Sequence, residues 1–293
     1  MANEYTTFTV GPGTLKMYTG ITKWGENSLV SYLSIGGMEQ TDLPTETNNY
    51  VGLADTSATA KEYIITEDNT EVKIKGFFSL YGSTLPISNV TLQSELPTAW
   101  RMFYNCTGLT SVNKFNFKII RQDTNSSVFI ASMSGMFYGC TNLTTLDLSG
   151  WDTSQVTRME NMFANCQNLT TLDVSNFDTS QVTHMTGMFS GCKSLTTLDV
   201  SNFDTSQVTS MRLMFGFCQS LTTLNLSNFN TSKVTNMGLM FRGCQSLITL
   251  NISNFDTSKV TDTSYMFTEC NNLNTVYIDC TKLINTKVTP TRT

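Results

Sequence analysis

Charge is scarce in this chain. Only 14% of its 293 residues are Asp, Glu, Lys or Arg, and they leave a formal net charge of -5. No basic field exists to hold a nucleic acid or an anionic membrane surface. Histidine is scarcer still. His184 is the only one, which removes most routes to a metal centre or an imidazole base, and no C-x-x-C pair offers a substitute. No Ser or Cys stands in a recognisable nucleophile motif with a fixed base. No catalytic residue, metal ligand or cofactor is therefore assigned, and an enzyme is not expected. Long apolar runs are missing too, since none approaches the ~18 residues that span a bilayer. The opening MANEYTTFTV has neither a basic nor an apolar region of the secretory kind, so no export signal is read there.

Repetition is what the chain has in abundance. The phrase LTTLDVSNFDTSQVTHMTGMFSGCKS begins at Leu169, returns at Leu195, Leu221 and Leu247, is already present at Leu143, and starts once more at Leu273. Each return comes 26 residues after the last. Cys140, Cys166, Cys192, Cys218, Cys244 and Cys270 mark the same beat, with Cys106 one beat earlier across an insertion. A period of ~20 to 50 residues signals stacked units, each too small to bury its own apolar face.

Within one unit, Leu143, Leu146 and Leu148 follow L-x-x-L-x-L, the spacing of a strand whose Thr145, Asp147 and Ser149 point outward. Trp151, replaced by Phe177, Phe203, Phe229 and Phe255 in later units, closes a corner, and Thr153 or Ser154 can cap the segment after it. In that segment Val156, Met159, Met162, Phe163 and Cys166 lie at the intervals of one helix face, which predicts a short helix with one apolar side. It should stop at Asn165, Gly191 or Gly243, residues that tolerate a left-handed backbone, with Phe217 and Glu269 as exceptions.

The fold class predicted is an α/β repeat solenoid: a leucine-rich-repeat-like right-handed coil with a parallel sheet and short helices, preceded by a small, mostly-β N-terminal domain. Residues 1–95 form that β-rich domain, with strands read at Tyr5 to Val10, Leu29 to Ile35, Glu62 to Ile65 and Glu71 to Leu80. Residues 96–280 form the repeats, interrupted by an insertion at 114–127, and 281–293 form a polar tail. The cysteine column predicts reduced, buried thiols, because ladder side chains run parallel and do not converge as a disulfide requires. The Thr and Asp rows read as a solvated face.

Positions that vary between otherwise equal units are candidates for partner contact. One column reads Arg158, His184, Ser210, Asn236, Asp262; a second reads Asn161, Gly187, Leu213, Leu239, Tyr265; a third reads Ala164, Ser190, Gly216, Arg242, Thr268. Simple exposure explains such variation; the functional reading is a graded contact surface with Leu213, Phe217 and Leu239 at its apolar centre. The candidate ligand-binding residues are Arg158, His184, Arg212, Leu213, Phe217, Leu239, Arg242 and Tyr265.

The units LTTLDLSGWDTSQVTRMENMFANCQN and LTTLDVSNFDTSQVTHMTGMFSGCKS, over about Leu96 to Cys280, resemble the BspA-type leucine-rich repeats of bacterial surface proteins. The resemblance implies a non-enzymatic binding or adhesion protein, with a protein or glycan partner at the bacterial cell surface, and transfers no catalytic residue. With no export signal read, a structural virion component such as a phage tail or capsid decoration protein, itself able to bind a receptor, is the alternative. Neither nucleic acid nor membrane insertion is expected. A homo-oligomer through the N-terminal domain or the open end of the repeats is a further expectation.

Overall fold

The computed structural model describes residues 4–17, 32–41, 61–75, 78–96, 98–114, 116–120 and 131–279. The start of the strand read from Leu29, residues 121–127 of the insertion and the 281–293 tail lie outside the described residues. The N-terminal region contributes β1 (Thr6–Val10), β2 (Gly13–Met17), β3 (Tyr32–Ile35), β4 (Met38–Glu39), β5 (Lys61–Ile65), β6 (Thr70–Lys75) and β7 (Ile87–Thr91). The remaining strands are short: β8 (Glu95–Leu96), β9 (Ser111–Val112), β10 (Phe117–Ile119), β11 (Thr145–Leu146), β12 (Trp151–Asp152), β13 (Thr249–Asn251) and β14 (Thr275–Tyr277).

Period-two patterning builds the first sheet. Phe8 and Val10 of β1 and Val72 and Ile74 of β6 are buried, and their neighbours alternate outward. β1 lies antiparallel between β6 and β7, and β3 pairs with the far edge of β6. β7 then pairs in parallel with β9, and β9 with β11, so one seven-stranded sheet, ordered β11-β9-β7-β1-β6-β3-β4, runs from the N-terminal strands into the first repeats.

The expected α/β solenoid of coils with short helices is overturned. The described residues contain no helix and are all-β, and their strands form several separate sheets in place of one continuous parallel sheet. Between β12 and β13 the L-x-x-L-x-L segments join no ladder; only β13 and β14 pair again, in parallel. The segment from Met159 to Cys166 is a succession of tight turns. Asn161 and Asn165 have φ of 55° and 61°, Gly187 and Gly191 of 63° and 72°, and the same two places are left-handed in every repeat through Tyr265 and Glu269. A residue with positive φ every fourth position cannot propagate a right-handed helix.

Alternation of handedness sends the amides elsewhere. Met159, Asn161, Phe163 and Asn165 donate their N–H groups to the carbonyls of His184, Thr186, Met188 and Ser190 in the next repeat, at 2.7 to 3.1 Å. The intervening amides close turns on the residue three before, as Met162 does on Met159 and Cys166 on Phe163. The same four bonds recur at each step. The peptide group between Met188 and Phe189, for example, accepts from Phe163 and donates to Met214. Four files of hydrogen-bonded peptide groups therefore run through the stack with their N–H ends all pointing toward its C-terminal end.

Side chains fill the space between the files. Phe137, Phe163, Phe189, Phe215 and Phe241 are fully buried and stack at 5.9, 5.8, 5.9 and 5.9 Å with nearly parallel planes. Full burial of one such ring contributes about 1.5–3 kcal/mol. Each described cysteine thiol donates to a backbone carbonyl of an earlier segment, Cys192 to that of Phe163 at 3.2 Å and Cys244 to that of Phe215 at 3.1 Å. The seven described cysteines are free thiols, and Cys270 alone of these is partly exposed.

Polar bonds fix the corners. The hydroxyl of Thr205, fully buried, donates to the Asn230 carbonyl at 3.0 Å and accepts the Asn230 N–H at 2.8 Å. Asn202 Nδ2 donates back to the carbonyls of Val174 and Phe177. Asp147, Asp173 and Asp199 each accept the backbone N–H two residues on, so the acidic row belongs to turn chemistry. Hydrogen bonding by the side chains of Ser149, Ser175 and Ser201, and then by their backbone N–H groups, holds the three carboxyls below their ordinary range.

Candidate binding surface

The turn ladder brings the variable positions onto one side of the stack. Ser132, Arg158, His184, Ser210, Asn236 and Asp262 stand in a single file, each bridged in parallel to the next. Their backbone is the same in every repeat, whereas from Arg158 to Asp262 their charge passes from cationic to neutral to anionic.

At its cationic end Arg158 forms an ion pair with Glu160, which also accepts a hydrogen bond from the Ser134 hydroxyl. His184, one step along, shares a 2.8 Å hydrogen bond with the Thr183 hydroxyl through Nδ1. Partial burial lowers the His184 pKa, the Arg158 charge adds to that, and Glu160 opposes it. The ring is thus biased toward its neutral form. Further on, Thr186 and Ser210 hydroxyls meet at 2.9 Å, and Asn236 Nδ2 donates to Asp262 at 3.1 Å. The Asp262 carboxyl is held low by the backbone and side chain of Ser264, with smaller help from Asn236 and Arg212.

Beside this file the C-terminal members of the second column, together with Phe217 and Arg242, form an apolar and aromatic patch. Leu213, Leu239 and Tyr265 succeed one another at left-handed positions with φ of 60°, 62° and 57°. A side chain there costs roughly 1–2 kcal/mol relative to glycine. Leu213 and Leu239 are half-buried and Tyr265 is 68% exposed. Phe217, also left-handed, lies under the Arg242 guanidinium, 5.2 Å from the ring centre, and Arg242 pairs with Glu269 at 2.6 Å. Arg212 is exposed at the margin.

All eight candidate residues therefore fall on the turn side. The structure joins Arg158 and His184 into one polar cluster, Leu213, Leu239 and Tyr265 into one row, and Phe217 with Arg242 into one stacked pair. Glu160 and Ser134, which complete these clusters, were not singled out by sequence reasoning, and Glu269 was named there only as an exception at the end of the expected helix. A third group was missed altogether. Tyr81, Tyr104 and Tyr138 stack at 5.0 and 4.4 Å, and Arg101 lies over Trp100 and Tyr104 at 4.9 and 4.7 Å. Burial pushes the Tyr104 hydroxyl up to about 12, with Tyr138 adding to it. The signal was available, because Tyr138 and Tyr104 continue the column of Ala164 and Ser190 toward the N-terminus.

Among the described residues no group of three or more His, Cys, Asp or Glu side chains is placed to hold a metal ion, and no helix is long and apolar enough to cross a membrane. No curated protein and no solved structure matches the chain. A family model does match, over residues 98–223 and again over 188–288, the two spans overlapping within the repeats and together covering more than half of the sequence. The family is described as "Mycoplasma protein of unknown function, DUF285", and this chain belongs to it.

Proposed function

We propose that this chain is a non-enzymatic binding protein that presents the turn side of its repeats to a protein or glycan partner. The observation that carries the reading is the file Arg158, His184, Ser210, Asn236, Asp262: its backbone is repeated without change while its side chains differ in charge and stay partly exposed. A scaffold held by stacking leaves those positions free to be chosen for contact. The adjoining row of Leu213, Leu239 and Tyr265 adds large side chains at positions where the backbone itself favours glycine. Aromatic and arginine side chains beside apolar ones are the composition of strong contact points.

The test is binding of the full chain to panels of surface glycans and extracellular proteins, with an Arg212→Glu, Tyr265→Ala double variant as the control. Both side chains are exposed, so the variant should keep its unfolding temperature and lose at least tenfold in affinity, about 1.4 kcal/mol. Folded protein that binds nothing in either panel, or a variant that binds as tightly as the parent, would sink the proposal.

A further inference from the structure

The four peptide files have to end somewhere, and their two ends are treated differently. At the N-terminal end the first donors are Leu80 and Gly82, bonded to Met102 and Tyr104 at 2.8 Å. That end is covered. Phe78 and Leu80 are fully buried, and the Phe78 ring stacks on Phe8 of β1 at 6.1 Å.

At the C-terminal end the last bonds run from Met237, Leu239, Phe241 and Gly243 to the carbonyls of Asp262, Ser264, Met266 and Thr268, at 2.8 to 3.0 Å. The next donors in the four files are the N–H groups of Thr263, Tyr265, Phe267 and Glu269. Among the described residues none of them meets an acceptor. Because every peptide group in a file points the same way, the files end as a helix does at its N-terminus, with unmatched N–H groups and a positive pole. The apolar cross-section is opened at the same place. Phe267, Cys270, Leu273, Val276 and Ile278 are partly exposed, whereas their counterparts Phe241, Cys244, Leu247, Leu250 and Ile252 are buried. β14 adds a short strand whose outer edge pairs with no other described strand.

This surface selects its occupant by hydrogen-bond polarity. One neighbouring file runs the other way, from Thr157 on Ala131 to Thr261 on Thr235, and ends at this face in the Thr261 carbonyl, so a second copy docking through the same end would set four N–H groups against four with a single such acceptor on each side. A second copy docking head to tail would need the acceptor end, which β1 and its neighbours cover. The complementary surface is the one that every interior step of the stack already supplies: a row of carbonyls spaced two residues apart, together with the Leu, Met and Phe side chains of the phrase. We propose that the C-terminal end of the stack docks a segment of another polypeptide that carries the same 26-residue repeat phrase. The segment lays its carbonyls on Thr263, Tyr265, Phe267 and Glu269 and its apolar side chains on Phe267, Leu273 and Val276. This surface borders the turn-side patch at Tyr265 and Glu269, but it rests on backbone N–H groups and the opened apolar cross-section, not on the variable side chains, so it stands or falls independently of the partner proposed above.

Site-resolved hydrogen exchange on the full chain tests it, using as probe a synthetic peptide with the sequence of residues 221–246 and a scrambled peptide as control. In the free chain the four amides should exchange openly while those of Phe215 and Phe241 are protected. Millimolar repeat peptide should slow the four by roughly tenfold or more, and the scrambled peptide should not. The effect should vanish in Phe267→Asp, which places a charge in the contact, and persist in Met38→Asp, which alters a distant exposed side chain. Protection of the four amides in the free chain would mean that the chain's own residues after 279 fill the edge, and would overturn the proposal. So would concentration-dependent self-association that protects the four amides without peptide, a peptide that leaves them unprotected, or slowing that survives Phe267→Asp.

Discussion

The side-chain oxygen of Asn161 occupies the space into which a Cβ on Gly187 would project. The same relationship joins Asn165 to Gly191 and Asn105 to Gly139, and the Phe217 ring lies against Gly243 in the same way. A side chain on a left-handed residue leans over the following repeat, and glycine there makes room for it.

Gly187→Ala therefore meets two obstacles, a positive φ and a filled space, and should destabilise the protein by about 1–3 kcal/mol. Part of that loss should return in the Asn161→Gly, Gly187→Ala double variant, where the obstructing side chain is gone. Denaturant unfolding of the four proteins in the cycle gives the coupling. Strictly additive losses would show that the two positions do not interact.

The thiol column should be chemically silent. Burial pushes the Cys166 thiol up to about 12, and Cys192 and Cys218 also well above the ordinary thiol range, so almost no thiolate exists at pH 8. Cys270, partly exposed and raised to about 11, should react first among the described thiols. Mass-resolved labelling with a thiol reagent should modify Cys166, Cys192 and Cys218 only as fast as the chain unfolds. Rapid labelling of Cys192 in the native protein would contradict the buried column.

Thr205→Val keeps the side-chain shape and removes both hydroxyl bonds to Asn230. It should cost about 1–3 kcal/mol, because the Asn230 carbonyl and N–H then lose their partner in a closed corner. Thr223→Val, on the exposed row, should change stability by less than about 0.5 kcal/mol. Equal unfolding midpoints for the two variants would place the stabilisation elsewhere.

His184 sets a pH dependence whose sign is fixed. Its folded pKa is lowered, so the unfolded chain takes up a proton where the folded chain does not. Stability should be fully present above the ordinary histidine value and fall as pH drops from there through the depressed folded value. Melting temperatures measured just above and well below the ordinary histidine value should differ more for the parent than for His184→Gln. A slope that is unchanged in the variant would assign the effect to other groups.

The period, the buried set and the outward rows could be read from residues alone, because stacking forces every repeat to bury the same positions. Leu169, Val182, Met185, Phe189 and Cys192 are all buried where the phrase requires. The path between them could not be read so easily. Val156, Met159, Met162, Phe163 and Cys166 have the spacing of a helix face, yet consecutive three- and four-residue turns place apolar residues at the same intervals. The contrary signal was present in Asn161 with Asn165 and Gly187 with Gly191, a pair of helix-averse residues four apart inside a segment of about ten. Leu213 and Leu239 masked it, since both are good helix formers held in a left-handed conformation. The binding surface was legible as variable columns, but its internal pairing was not. Arg158 with Glu160 and Arg242 with Glu269 depend on which residues the turns bring side by side.

The leaning of left-handed side chains over the next repeat also gives one column a period of two repeats. Along one column the order is Asn105, Gly139, Asn165, Gly191, Phe217, Gly243, Glu269, a strict alternation of side chain and glycine. Removing one repeat would bring two side chains, or two glycines, into succession. Removing two would restore the order. At this column repeats can thus be duplicated or excised in pairs with the alternation kept, whereas the companion column, where Leu213, Leu239 and Tyr265 succeed one another, accepts side chains in series.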